Sequence, residues 1–250
     1  MANQRPKSLV VCVEFDDFLA ITLPRNNRHF EQTLVITSIC DIDTQRLALE
    51  NACQVFITDV FYENEAVFNK GAAIEKGLDI LGRDGWLCLW DADIVMPSTI
   101  EFDKDPACLY TALRRTLDNP ADFSDALVWN HVPITGHEDE FPGYFQLFNA
   151  QAAGPKPWFE VNWKHAGGYD GNFQNKFSKK NLCRPPFNVL HLGPSVDMVS
   201  KFHLRVGDNW CGRTTPRLDG KPLADQSRKS ILQSVIDHRK LTSDVSNERI

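Results

Sequence analysis

Two aspartates separated by one residue, Asp91 and Asp93, directly follow the apolar run Trp86–Trp90. Carboxylates of this kind are hard oxygen donors, which can hold Mg²⁺ or Mn²⁺ and leave coordination positions open for phosphate oxygens. The Asp-x-Asp spacing recurs at 41/43 and 103/105, so spacing alone does not select a site. Only the pair at 91/93 comes straight after a run typical of a buried strand, and we therefore expect the metal there.

A histidine offers a further ligand. His191 follows the strand-like run Phe187–Leu190 and precedes Gly193 and Pro194, so it is predicted to lie at a strand end, as the two aspartates do. An imidazole at such a place can ligate a metal, although most single histidines in proteins are hydrogen-bonded structural groups. His203 is the weaker substitute, because its neighbours Phe202 and Leu204 indicate core.

The elements that must position these groups alternate along the chain. Four apolar runs predict strands and the stretches between them predict helices, one of which has Asp43 as its expected N-cap. This order predicts an α/β fold with a mostly parallel central sheet, helices on both faces and ligands at the carboxyl ends of the strands. The predicted strands are Leu9–Val13, Thr33–Thr37, Gln54–Thr58 and Trp86–Trp90; the predicted helices are Leu19–Phe30, Asp43–Cys53 and Asn69–Leu81.

The pattern changes after Pro97. Strand-like runs at Ala107–Thr111, Ala126–Val132 and Tyr144–Phe148 alternate with loops rich in Pro, Gly and Asn, and a helix is expected over 224–241. We predict a single domain over 1–250. Residues 1–100 would form the half that binds the first ligand, residues 101–223 the half that binds the second substrate, and residues 224–250 a C-terminal helix and tail.

The turn after the first predicted strand lacks the glycines that let backbone N–H groups approach a phosphate. Its residues are Glu14-Phe15-Asp16-Asp17, and the first glycine of the chain is Gly71. A Rossmann dehydrogenase and a P-loop enzyme are therefore disfavoured, and a nucleotidyltransferase with a glycine-rich first loop is weakened. A phosphate bound at this sheet edge needs a cation to neutralise it.

The amino-acid composition excludes further classes of protein. The chain has 250 residues, 42% of them apolar, and a formal net charge of −6, which is the wrong sign for general attraction to nucleic acid. No apolar run approaches the length that spans a bilayer, and we expect a soluble, cytoplasmic protein. The seven cysteines are widely spaced without a C-x-x-C pair, which favours reduced, mostly buried thiols.

Taken in order, these motifs resemble the GT-A-fold glycosyltransferases, nearest to the family 2-like group. The resemblance covers residues 8 to about 100 and continues at two later places. It implies a nucleotide-sugar donor whose diphosphate is held by Mn²⁺ or Mg²⁺, with Asp91 or Asp93, or both, and His191 as the metal ligands. The residues that carry it are Leu9–Val13; Thr33–Thr37 with Asp41-x-Asp43-Thr44; Phe68–Ala73; Gly85-Trp86-x₄-Asp91-Ala92-Asp93-Ile94-x₂-Pro97; His191-Leu192-Gly193; and Asn209-Trp210-x-Gly212-Arg213.

Further residues are assigned to the donor. Lys70, near the start of a predicted helix, and Arg213 can neutralise phosphate charge, and Trp210 lies in the same motif as Arg213. Glu14 or Asp17 near the first strand, and Asp41 or Asp43 after the second, can supply one carboxylate that accepts the imide N–H of uracil or thymine, and Asp41 is the preferred candidate. A UDP-sugar is therefore the favoured donor.

The segment Ala166–Phe173 surrounds Asp170 with glycines and aromatic residues, which predicts a tight loop that presents one carboxylate to a sugar. In inverting members of the resembled group, an acidic residue in a comparable segment deprotonates the acceptor hydroxyl. Asp170 is the predicted catalytic base. The alternative is that Asp170 only shapes the turn.

We therefore expect a hexosyl- or pentosyltransferase that acts on a hydroxyl of a glycan, a protein, a small molecule or a hydroxymethylated DNA base. The DNA acceptor would suit a small enzyme carried by a virus into its host's cytoplasm. Its only evident basic cluster is Lys176, Lys179, Lys180 and Arg184. The alternatives are a non-catalytic nucleotide- or carbohydrate-binding module on the same scaffold and a nucleotidyltransferase.

Overall fold

The computed structural model describes residues 5–135, 141–163, 166, 168–193, 217–222, 233–235 and 237. Eleven strands and four α-helices are assigned within these ranges. In chain order they are β1 (Lys7–Val11), α1 (Asp16–Asn26), β2 (Gln32–Thr37), α2 (Ile42–Glu50), β3 (Gln54–Ile57), α3 (Lys70–Leu81), β4 (Trp86–Asp91), β5 (Ile94–Val95), β6 (Leu109–Tyr110), β7 (Leu113–Leu117), β8 (Ile134–Thr135), β9 (Phe145–Asn149), α4 (Tyr169–Gln174), β10 (Leu182–Cys183) and β11 (Asn188–Leu192).

The main sheet has seven strands in the order β10-β6-β9-β4-β1-β2-β3. The four strands β4, β1, β2 and β3 are parallel neighbours, whereas β9 runs antiparallel to both β4 and β6. A smaller sheet has the order β5-β11-β7-β8. The prediction of an α/β fold with a mostly parallel central sheet is confirmed.

Helices cover both faces of the main sheet, also as predicted. On one face, α3 packs against Leu9 and Ile36, and it lies so close that a Cβ added to Gly77 would come within 2.3 Å of the Ile36 side chain. On the other face, Leu19 and Leu23 of α1 join the core beneath Val10 and Val35. The strands read as continuous apolar runs because both of their faces are buried.

Local predictions were partly wrong. α1 begins three residues before the predicted Leu19 and ends at Asn26, and a 3₁₀ turn, Asn27–His29, follows it. The N-cap of α2 is Asp41, whose side chain accepts from the Thr44 amide, rather than Asp43. The run 126–132 forms no strand and contains the 3₁₀ turn Trp129–His131. β7 was not predicted.

Cysteine chemistry also differs from the prediction. Cys108 and Cys183 form a disulfide that links the ends of the paired strands β6 and β10. The Cα atoms of the two cysteines lie 6.0 Å apart. The prediction of reduced thiols is therefore wrong for this pair, and it holds for Cys12, Cys40, Cys53 and Cys88. Cys211 lies outside the described residues.

Little of the C-terminal helix expected over 224–241 is described. Residues 233–235 and 237 are helical, and Val235 packs into the core on the α3 side of the sheet. No helix in the described ranges combines the length and apolarity that crossing a bilayer requires.

Candidate active site at the carboxyl edge of the sheet

The turn that carries Asp91 and Asp93 joins β4 to β5 and is held from below by α1. The Thr22 hydroxyl donates to the Ala92 carbonyl at 2.7 Å. The Asn26 side chain donates to the Ile94 carbonyl at 2.7 Å and accepts from the Met96 amide at 2.9 Å. Because Thr22 and Asn26 are fully buried, these hydrogen bonds fix the turn against a rigid element.

Asp93 and His191 meet across the two sheets, as predicted. His191 lies on β11 opposite Ile94 of β5, and the Leu192 amide donates to the Asp93 carbonyl at 2.9 Å. This pairing brings His191 Nε2 to 3.3 Å from Asp93 Oδ2, with 10% and 25% of the two side chains exposed. The pair is thus preorganised by backbone hydrogen bonds and only partly open to solvent.

The Asp93 and His191 donors fit a divalent cation of the Mn²⁺ class. Two ligand atoms that each lie about 2.1 Å from a metal, at a right angle, are about 3 Å apart, which is close to the observed separation. A carboxylate oxygen together with an imidazole nitrogen suits Mn²⁺. His191 Nδ1 is buried and has no hydrogen-bond partner among the described residues.

No third His, Cys, Asp or Glu joins this pair within the described ranges. Asp91, the other predicted ligand, instead forms an ion pair with Lys70 at the start of α3. The Lys70 ammonium also lies 5.1 Å from the centre of the Tyr169 ring. Burial lowers the pKa of Lys70, but the interactions with Asp91 and Tyr169 together raise it by more, so that the net pKa lies above its usual range.

Lys70 is therefore a fixed cation beside the candidate metal site. The prediction that it starts a helix is confirmed, with Asn69 as the N-cap. Its direct partner is Asp91, which was not predicted. Burial raises the pKa of the Tyr169 phenol above its usual range, although Lys70 lowers it, so Tyr169 contacts Lys70 as a neutral hydroxyl.

Asp170 follows Tyr169 in the first turn of α4, not in the tight loop predicted for Ala166–Phe173. Its Oδ2 accepts from the Gly143 amide at 2.9 Å and its Oδ1 from the Gly171 amide at 3.0 Å. A Cβ at Gly143 would lie 2.3 Å from that of Asp170, so the glycine is needed for this approach. The neighbouring Tyr144 carbonyl accepts from the Asp91 amide at 3.0 Å, which brings Asp170 to the same edge as Asp91.

Asp41 joins the ends of β1 and β2. Its buried carboxylate accepts from the Glu14 amide at 2.8 Å, the Thr44 amide at 3.1 Å and the Thr37 hydroxyl at 3.2 Å. Burial raises the pKa of Asp41, and the Glu14 and Thr44 hydrogen bonds lower it only in part. The pKa of the half-buried Glu14 is raised by burial and then by the charge of Asp41.

Near the same strand ends, a later segment of the chain contacts the start of α1, and sequence analysis did not predict this contact. Arg217 donates two hydrogen bonds of 2.7 Å to the two oxygens of Asp16 and two of 2.9 Å to Asp219. The Leu218 amide donates to Asp17 at 2.7 Å. The acidic first turn of α1 is thus neutralised by a segment 200 residues later. No local signal predicts a pairing at this separation.

Several predicted residues cannot be compared with the structure. Trp210, Arg213 and the substitute ligand His203 lie outside the described residues. In the predicted basic cluster, Lys179 and Lys180 are exposed, but Arg184 donates to the Thr111 carbonyl at 2.9 Å and lies 4.3 Å from the centre of the Phe141 ring. Arg184 is thus engaged in tertiary contacts.

Comparison with known proteins gives structural likenesses only. No family model and no curated protein matches the chain. A mycobacterial protein matches with a TM-score of 0.47 and 12% identity, covering 76% of this chain and 66% of its own. Glucosyl-3-phosphoglycerate synthase from Mycobacterium tuberculosis, in complex with Mn²⁺, UDP and phosphoglyceric acid, matches with a TM-score of 0.34 and 14% identity, covering 46% and 44%.

Inositol-1-phosphate CTP transferase from T. maritima matches with a TM-score of 0.46 and 9% identity, covering 77% of this chain and 86% of its own. The similar structures include several glycosyltransferases of the GT-A type, the class that the sequence motifs resemble. The chain spans less than two thirds of the length of the first two proteins named. These weak likenesses assign neither a donor nor an acceptor to this chain.

Proposed function

We propose that this chain is a metal-dependent glycosyltransferase of the GT-A type, which moves a sugar from a nucleotide-diphosphate donor to a hydroxyl. The observation that carries the proposal is the meeting of Asp93 Oδ2 and His191 Nε2 at 3.3 Å, at the carboxyl ends of β4 and β11. Asp91, Lys70 and Asp170 lie at the same edge. Ligands of mostly parallel sheets bind at this edge.

Each group has a chemical role in this proposal. Asp93 and His191 would hold Mn²⁺ or Mg²⁺, which supplies positive charge to the diphosphate as the glycosidic bond breaks. Lys70 offers a second, fixed positive charge, and its pairing with Asp91 keeps the ammonium aimed at the turn. Asp91 contributes through this ion pair with Lys70, and the resemblance adds Trp210 and Arg213 as donor contacts.

We assign the nucleoside to the ends of β1 and β2. Asp41 is buried and each of its oxygens accepts hydrogen bonds from this chain, so its role is to orient the Glu14 backbone. Glu14 is the less buried carboxylate at this edge and can accept the imide N–H of a pyrimidine. A UDP-sugar is therefore the donor that we favour.

Asp170 is the base that we assign to the acceptor hydroxyl. Each of its oxygens accepts one backbone hydrogen bond, and a carboxylate oxygen has a second lone pair for the hydroxyl proton. The candidate acceptors are a glycan, a protein, a small molecule and a hydroxymethylated DNA base. The transferred sugar is a hexose or a pentose.

The experiment that tests the proposal is a screen of nucleotide sugars against the whole chain. Binding and slow donor hydrolysis are measured with Mn²⁺, with Mg²⁺ and with EDTA. We expect one UDP-sugar to bind with the metal, to be hydrolysed, and to lose both properties in EDTA. Metal-dependent binding without hydrolysis or transfer would instead show a binding module, and turnover of a nucleoside triphosphate with a sugar phosphate would show a nucleotidyltransferase.

Replacing Asp170 with asparagine is expected to lower transfer about a hundredfold, the lower end of what a general base contributes. Asparagine keeps an oxygen that accepts from Gly143 but cannot take the acceptor proton. Donor affinity, measured by calorimetry, should stay within about twofold of the wild-type value. Asp125→Asn, at an exposed carboxylate paired with Arg25, is the control; equal rates in both variants would contradict the assignment.

A further inference from the structure

A cavity of about 400 Å³ opens at the amino ends of the parallel strands, opposite the candidate active site. It lies between the segment before β1, the 3₁₀ turn after α1 and the loop after β5. Its volume is that of a small-molecule site. Its lining residues with an ionisable side chain are Arg5, Arg28, His29, Glu101 and Lys104.

The charge of this cavity contrasts with that of the chain. Three of its side chains are basic and one is acidic, whereas the chain as a whole is at −6. Within the described ranges, Arg5 and Arg28 form no ion pair and no side-chain hydrogen bond, unlike Arg25, Arg83 and Arg217. Among the described residues, no carboxylate pairs with either guanidinium group, although Glu101 lines the cavity and Glu31 lines the groove beside it.

The imidazole of His29 is a probe of the electrostatic field in this cavity. Its Nε2 atom is buried and has no hydrogen-bond partner among the described residues. Burial, then the charge of Arg28, lower the pKa of the imidazole, although a hydrogen bond to the Pro97 carbonyl raises it. Arg5 lowers this pKa and Glu101 raises it to a smaller extent. A positive local field of this kind stabilises a bound anion and destabilises the imidazolium.

The rest of the lining suits the carbon skeleton of a ligand. Pro6, Ile100 and Leu147 provide apolar walls, and Ser98 and Thr99 provide hydroxyls. Arg5 and Arg28 also line an adjoining groove of about 470 Å³, so the two guanidinium groups stand where the two openings meet. Arginine binds phosphate through two parallel N–H donors, which is the geometry that a terminal phosphate group requires.

We propose that this cavity binds a small phosphate monoester, such as a sugar phosphate, through Arg5, Arg28 and Lys104. The site is separate from the proposed active site. Lys104 lies near Trp86 at the start of β4, and Asp91 ends that strand five residues later, about 17 Å away at 3.3 Å per residue. The proposal therefore does not depend on the glycosyltransferase assignment.

The site also borders the elements that hold the Asp91–Asp93 turn. Asn26, at the end of α1, grips Ile94 and Met96, and the cavity begins at Arg28 on one side and Ser98 on the other. A ligand in the cavity therefore contacts the segment that follows Asn26 and the segment that follows Met96. This placement suits an effector rather than a substrate.

The test is calorimetric titration of the whole chain in EDTA with a hexose 6-phosphate, the unphosphorylated hexose and inorganic phosphate. We compare the wild-type chain with Arg5→Gln/Arg28→Gln and with Lys179→Gln/Lys180→Gln, a control that removes two exposed charges elsewhere. Both arginines are exposed, so the variant should fold, which circular dichroism checks.

We expect the hexose phosphate to bind the wild-type chain and the control with equal affinity. It should bind the arginine variant at least about tenfold more weakly, and the unphosphorylated hexose should bind none of the three proteins. Phosphate alone should bind more weakly, because it forgoes the apolar walls. Bound phosphate should also raise the pKa of His29, read by NMR. Equal affinity in all three proteins, or no saturation of the wild-type chain at about 10 mM ligand, would overturn the proposal.

Discussion

Replacing Asp93 with alanine is expected to reduce sugar transfer about a thousandfold. The substitution removes the oxygen that lies 3.3 Å from His191 Nε2 and leaves the candidate metal site with a single donor from this pair. The charge stabilisation that a bound metal supplies to a leaving diphosphate amounts to several kcal/mol, and about 1.4 kcal/mol corresponds to a tenfold change in rate. Transfer from the donor identified in the screen is the quantity measured, at saturating Mn²⁺.

Asp103→Ala is the matched control, because Asp103 belongs to a competing Asp-x-Asp pair and is exposed. It should transfer sugar at the wild-type rate. Asp93→Ala should also lose the Mn²⁺-dependent part of donor binding, whereas its thermal stability without metal should change little. If Asp93→Ala retains metal-dependent transfer within about tenfold of the wild-type rate, a loss of at most about 1.4 kcal/mol, then the metal is held elsewhere.

The central sheet could be predicted from sequence because its strands are buried on both faces. Leu34, Val35 and Ile36 are each fully buried, so selection for apolar residues acts on every position rather than on alternate ones. The helices between them keep apolar residues on one face, which α3 does through Ala73, Leu78 and Leu81. Those continuous and periodic signals locate the sheet edge, and with it Asp93 and His191.

Short strands could not be predicted in the same way. β5, β8 and β10 have two residues each, fewer than a period-2 pattern needs to be recognised, whereas β6 lies inside the predicted run 107–111. Their pairing depends on partners far along the chain, as β5 pairs with β11 about 95 residues later. Asp170 was misplaced in a loop for a related reason, since α4 has only six residues and two glycines flank its start.

The polar contacts of the site depend on tertiary structure. Asp41 and Asp43 both stand where a helix can begin, and only the meeting of β1 with β2 makes Asp41 the cap. Lys70 pairs with Asp91 because α3 packs on β1 and β2, next to β4, which no local pattern in the sequence specifies. Sequence could therefore place the chemical groups at one edge but could not assign their partners.

The same limit applies to Glu75, a charged residue on the inward face of α3. Only 9% of its side chain is exposed. Its Oε1 accepts from the amides of Trp158 and Phe159, each at 2.8 Å, and its Oε2 accepts from Arg83 at 2.7 Å. Arg83 is itself 13% exposed and lies 4.7 Å from the centre of the Trp158 ring. Glu75 thus ties the segment before α4 to the helix that positions Lys70.

Glu75→Ala is expected to lower the free energy of unfolding by about 3–5 kcal/mol, since removing one partner of a buried ion pair leaves the other charge without compensation. Two buried backbone amides also lose their acceptor. Urea denaturation measures the change. The control is Asp79→Ala, because Asp79 pairs with the same arginine through Nε at 2.9 Å but is 53% exposed, and an exposed pair contributes only about 0.2–1 kcal/mol. Similar losses in the two variants would show that the contact with Arg83 matters and the buried hydrogen bonds from Trp158 and Phe159 do not.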